Sequence, residues 1–502
     1  MANNKKIDLS NLKMKEINDL TAEFYDSKQI FTANFQQLGK SFLNKVLSID
    51  LWVSDFDKIR KTFIEDSKSN DKEVPDNEEG FYKYIVDIYF QLKQEPKQKL
   101  LDTYISATQH IQEIDDRIAK INEEIDTIIK LKNQEVYQKK VPLLTFYSNL
   151  NKDARIELIE FLKKGIYDYV ISECSAGLGI GLWNTLQYEY ALLGSKNYDV
   201  SYPNMISNKF MDLIPDEKEE MERIYDKDKP AFQKALKEYI ENNDIIDNIR
   251  LLYDKNHIVA KKKEILEQCI IAYENDSKIV SGGLSIFIIE GILHEICSLF
   301  DITENELLGM GLKEKLDFLQ YKLSYELHYE YYSFAFRILR NKMAHGIAES
   351  NELKEMADLL LLDIKDSIGI ATSMRIPMNQ KRFFIHQALI ETSSNKYNYV
   401  FGYLNTYKIP IDPFYDIQND ILKVHSLVQE NSFWNYIDNL VNHGNLYGKS
   451  FAESFIKSLL SCKIEHTKDK CVIRLKKLSN FQLEEFDKNR FINSLLGFVR
   501  YV

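Results

Sequence analysis

Punctuation is scarce in this chain, whose 502 residues include only eighteen glycines and nine prolines, well below the average share of about 12%. Turn-rich sandwiches, collagen-like arrays and long disordered tracts all need more of both, so none of them is the main architecture. Cysteine is scarce too. Cys174, Cys269, Cys297, Cys462 and Cys471 are odd in number and scattered, which argues against a disulfide framework and for a reducing, cytoplasmic compartment. Positive charge is not in excess. Lysine and arginine number 65 against 76 acidic residues, a formal charge of −11, so the broad basic face of a protein that coats nucleic acid is missing. Any contact with nucleic acid is expected to be local, as at an active site. Long apolar runs are missing as well. Met1-Ala-Asn-Asn-Lys-Lys opens no signal-like core. The two most apolar stretches, 281–300 and 174–186, are interrupted by Glu290, His294 and Glu295 or are too short to span a bilayer. The expectation is a soluble, intracellular protein without a membrane partner.

What is abundant, Lys, Glu, Leu and Ile, favours long helices joined by few turns, and the expected fold class is mainly all-α. The length predicts two to four domains. Residues 1–95 read as an N-terminal helical region with a polar break at 66–80. Over 96–140 the pattern becomes regular: Leu100, Tyr104, Ala107, Ile111, Ile114, Ile118, Ile121, Ile125 and Ile128 follow steps of four and three. That spacing predicts a long coiled-coil-like helix or an antiparallel hairpin with one apolar seam, which can close inside the chain or between chains. Residues 141–225 read as a helical region with a loop, 226–375 as a compact helical bundle and 376–502 as a C-terminal helical region. Within the last, Thr467-Lys-Asp-Lys470 is placed to turn a short β-hairpin over 462–475.

Several motifs fail on spacing. Gly177, Gly179 and Gly181 are too close for a dinucleotide fingerprint, and Gly444-Asn-Leu-Tyr-Gly448-Lys449-Ser450 has one residue too few for a phosphate-binding loop. His294-Glu295-Ile-Cys-Ser298 puts a serine where a zinc-protease helix needs its second histidine. Cys462, His466, Cys471 and His443 do not follow ordinary zinc spacings. No metal and no cofactor is therefore expected.

One constellation carries chemistry. Phe336-Arg337-Ile-Leu-Arg340-Asn341-Lys342-Met343-Ala344-His345-Gly346 closes an aromatic-rich helix. Arg340, Asn341 and His345 resemble the Arg–polar–His motif of the HEPN superfamily, a group of all-helical domains that includes many RNases. The resemblance covers roughly 255–375. A second segment, Arg250 to His257, meets the loose spacing but has an apolar residue after its arginine.

The residue types suit metal-independent RNA cleavage. The 2′-hydroxyl is the nucleophile, so the reaction needs a base to take its proton and a cation on the phosphorane. A neutral histidine suits the first role, and arginine matches phosphate oxygens with planar, permanent charge. Asn341 orients the imidazole or holds an oxygen; Arg337 and Lys342 are the candidate substrate-binding cations. On a regular helix Asn341 and His345 share a face with Arg337, whereas Arg340 lies about 140° around from His345. Either the helix breaks near Gly346, or the site is completed by a second subunit.

The resemblance implies the latter: an endoribonuclease acting as a homodimer or higher homo-oligomer, with products ending in 2′,3′-cyclic phosphate. It further implies a toxin or antiviral abortive-infection role against cellular RNA, tRNA for example, and leaves room for a controlling partner protein encoded nearby. Ile347 stands where some family toxins carry a tyrosine for adenylylation, so that control is not expected. Tyr321, Tyr325, Tyr329, Tyr332 and Phe336 form a stripe that reads as a packed core edge or, failing that, a base-stacking platform. Glu290 and His294 read as a satisfied buried pair or as a support for the site. The alternative function is a non-catalytic scaffold that binds a partner through the apolar seam.

Overall fold

The computed structural model describes residues 9–47, 51, 54–175, 198–483 and 485–497. Among them every regular element is helical. The glycine-rich segment 176–183 lies outside the described residues. The chain divides into two compact units, Met1–Tyr202 and Pro203–Val502. The boundary thus falls inside the 141–225 region that the sequence pattern treats as one.

In the first unit the 36-residue helix Pro96–Leu131 begins on a proline, whose fixed φ suits a first turn. It ends where Lys132 turns left-handed at φ 51°, and only Lys132 and Asn133 separate it from the helix Gln134–Glu160. So short a link forces an antiparallel hairpin. Arg117 Nε donates to Asn151 Oδ1 at 3.1 Å and Arg155 Nε to Asp115 Oδ1 at 2.7 Å, the pairing of opposed chains. Ala107, Ile114, Ile121 and Ile128 are buried, and Ile111 and Ile118 pack partly buried on the core. From Ala107 to Ile128 the seam is therefore packed inside this unit, while Tyr104 nearer the helix start stays 55% exposed.

The second unit is organised on Lys278–Cys297, which lies along Ser350–Ala371 and is flanked by Lys263–Glu274 and Leu312–Leu323. Gly282 makes that pairing possible. A Cβ there would sit 2.7 Å from the Leu353 carbonyl oxygen, so no larger residue fits without moving backbone. By length and composition the helix Lys278–Cys297 could cross a membrane, yet Ile286, Ile288, Ile289, Ile292, Leu293 and Ile296 are buried within the protein. It is the central core helix of the unit.

Two expectations change here. The aromatic-rich helix expected to carry the stripe from Tyr321 to Phe336 is broken: Leu312–Leu323 gives way to a short tight turn, His328 adopts φ 48°, and a wide π-type turn at Tyr331–Phe336 precedes the helix Arg337–Ala344. The β-hairpin over 462–475 is not formed. Residues Lys468–Leu478 are a helix that buries Cys471 and Leu478 and leaves Val472 and Ile473 exposed. The seven-residue step from Cys471 to Leu478 puts both on one helical face, whereas a strand would have put them on opposite ones. This period outweighs the local β preference of the Val-Ile pair.

Candidate active site

The helix Arg337–Ala344 ends in a Schellman motif. Gly346 takes φ 67°, Gly346 N donates to Met343 O at 3.0 Å and Ile347 N to Lys342 O at 2.9 Å. Ala-His-Gly is thus a stop signal, and the helix does break at Gly346. His345, as the residue capping the helix, leaves the helical path (φ −92°, ψ 3°) and is exposed. Its imidazole has no hydrogen bond or ion pair among the described residues.

Arg340 is held, not free. Its Nε and Nη2 donate to Glu290 Oε2 and Oε1 at 2.8 and 2.9 Å, a two-point ion pair that reaches from the motif helix to the central helix. Nη1 donates to Asn341 Oδ1 at 3.3 Å. The carboxylate of Glu290 raises the Arg340 pKa above its ordinary value. With a side chain 30% exposed, the guanidinium is fixed in direction yet open to solvent. Glu290 therefore supports Arg340, and the reading of Glu290 with His294 as a closed pair is not what forms. His294 stays part-buried on the same face; burial first, then Lys315, lowers its pKa.

The other candidates are placed less favourably. Lys342 Nζ lies 2.8 Å from Glu352 Oε1, so this cation is already paired. Arg337 Nε is buried without a hydrogen-bond partner among the described residues, where the turn at Tyr331–Phe336 brings the base of the helix against the core. Tyr329, Tyr332 and Phe336 are buried while Tyr321 is 84% exposed. The left-handed turn at His328 separates Tyr321 from these three, so they are core and offer no stacking platform. In the second matching segment, Arg250 is pinned between Glu267 and Glu274, and His257 is buried with its ring Nδ1 3.2 Å from the Tyr415 hydroxyl. That pair is structural. Among the described residues no three His, Cys, Asp or Glu side chains come together as a metal cage.

A second polar cluster went unnoticed in the sequence. Lys209 and Asp363, with side chains 1% and 0% exposed, form an ion pair of 2.7 Å. Asp363 also accepts from Tyr331 at 2.5 Å and Asn208 at 3.1 Å. Asp366, one turn on, accepts at Oδ2 from Tyr332 at 2.7 Å and Asn208 at 3.1 Å. Burial pushes the Lys209 pKa down and that of Asp366 up. The available signal was Asp363, a carboxylate standing inside the run Leu359-Leu-Leu-Leu-Asp-Ile364, since a charge on an apolar face demands a partner.

No family model matches the chain, nor does any curated protein or solved structure.

Proposed function

We propose that the chain is a metal-independent endoribonuclease of HEPN type, working in the cytoplasm on cellular RNA in a toxin or antiviral role. The observation that carries this reading is the pairing, at one helix end, of an oriented and solvent-accessible guanidinium with an unengaged imidazole. His345 takes the 2′-hydroxyl proton, the oxygen attacks the adjacent phosphorus, and the P–O5′ bond breaks as O5′ receives a proton from the imidazolium, leaving a 2′,3′-cyclic phosphate and a 5′-hydroxyl. Arg340 stabilises the charge that builds on the phosphorane oxygens, an interaction strongest in the transition state. Asn341 steadies the guanidinium edge. A homodimer supplies the opposed copy of the motif. Val280, Phe287 and Ile347, exposed at 54, 52 and 67% beside the elements that carry the motif, support such an interface, because apolar side chains of this size gain from being covered.

The test is cleavage of structured RNA, tRNA first, by the full chain in EDTA. Arg340→Ala and His345→Ala should each abolish cleavage while circular dichroism stays unchanged. Arg250→Ala should leave cleavage intact. Since base and cation act as a unit, each single loss should cost nearly as much as the double. Activity that needs added Mg²⁺, or that survives both motif variants, would remove this reading. Recovery of cleavage on mixing the two inactive variants would assign the composite, two-chain site.

A further inference from the structure

Asp366 faces a cleft of about 460 Å³ in the second unit that shares no residue with the Arg340–His345 site. Its walls are apolar at Phe210, Leu362 and Ile370, all buried, and the volume lies in the range of small-molecule pockets. Four charges on the rim or floor are already answered. Lys209 pairs with Asp363, Glu326 with Arg375 at 3.3 Å, and Asp212 accepts from Tyr239 at 2.6 Å with Lys365 3.9 Å away. Asp366 differs. Its Oδ2 takes two neutral donors, Tyr332 and Asn208, while among the described residues its Oδ1 has no hydrogen-bond donor and only His328 Nε2 at 3.7 Å. The side chain is 22% exposed, and among the described residues no lysine or arginine stands within ion-pair distance of this oxygen. Buried carboxylates need such a counter-charge.

We propose that this cleft is a binding site for a small organic cation, with an ammonium head donating to Asp366 Oδ1 and an apolar body against Phe210, Leu362 and Ile370. The ligand supplies the missing positive charge, and the apolar walls select against a bare inorganic ion. A neutral or anionic molecule of the same shape gains the apolar contact but leaves the carboxylate unanswered, or repels it. Gly369 lines the same cleft, and a Cβ placed there meets no atom within 4 Å. A larger side chain at 369 therefore extends into open space and occludes the site without disturbing the core.

The experiment is isothermal titration of the full chain near neutral pH. The probes are 2-phenylethylammonium, hexylammonium and spermidine, each taken to about 5 mM, where binding at millimolar Kd is still measurable. 2-Phenylethanol and hexanoate serve as the neutral and anionic matches. At least one ammonium probe should bind one per chain, and neither match should bind comparably. Asp366→Asn, which keeps the shape and removes the charge, and Gly369→Leu should each weaken binding by about tenfold or more. Unliganded Asp366→Asn should melt no lower than the parent. No ammonium binding up to that concentration, equal binding of a neutral or anionic match, or binding untouched by Gly369→Leu would overturn the proposal. Because Gly369→Leu touches no polar contact, it decides the matter even if Asp366→Asn fails to fold. RNA cleavage is not read in any arm, so failure here is distinct from failure of the nuclease reading.

Discussion

Arg340 keeps its charge at any pH at which a protein stays folded, so Glu290 contributes direction rather than protonation. A two-point ion pair holds the guanidinium plane, and Nη1, one of whose N–H groups donates to Asn341 Oδ1, stays on the solvent side. Glu290→Ala should therefore lower kcat for RNA cleavage about tenfold with little change in KM, because orientation matters most in the transition state. Stability should change by less than about 1 kcal/mol, the usual worth of a part-exposed pair. A rise in KM alone would recast Glu290 as a binding group. Of this site, Arg340, Asn341 and His345 were legible as a motif. Glu290 was legible only as one of two open readings, and its pairing with Arg340 was not, since the two stand 50 residues apart and no local pattern joins them.

Among the elements, the hairpin of Pro96–Leu131 and Gln134–Glu160 was the most legible from sequence. Its apolar steps of three and four are a property of one helix and need no knowledge of the partner. Which positions bear the load depends on the partner. Ile121 is 5% exposed and Ile129 51%, although both are isoleucines on the same helix. Ile121→Ala should cost about 2–4 kcal/mol in urea unfolding, by lost transfer energy plus a cavity, and Ile129→Ala within about 0.5 kcal/mol. Equal losses would show that the seam is not packed as described. The segment Lys468–Leu478 marks the opposite case. Val472 and Ile473 together read as strand, but the helical register of Cys471 and Leu478 decided the element once the neighbouring helix Leu446–Cys462 packed beside it.

At the scale of the whole molecule, burial holds the imidazole pKa values of His257, His294 and His425 below their ordinary value. Each therefore has a folded pKa under its unfolded one of about 6.5. Below that pH the unfolded chain binds more protons than the folded one, so stability is full above the window and is lost as pH falls through it. Asp366, with its raised pKa, works in the other direction, but it is one group against three. The melting temperature should fall between pH 7.5 and 5.5, and His257→Gln should lessen the fall; a constant or rising value would contradict the buried, neutral imidazoles. By itself the sequence determined the helical class and the period of the long hairpin, and left the helix break at Gly346 as one of two alternatives. Each of these rests on spacing or backbone preference within a few residues. Only the tertiary structure decided which charges meet. Lys209 and Asp363 are 154 residues apart, and whether a lysine is a solvated surface group or the counter-ion of a buried carboxylate depends on what packs over it. That is a property of burial, which removes the water that would otherwise satisfy each charge alone.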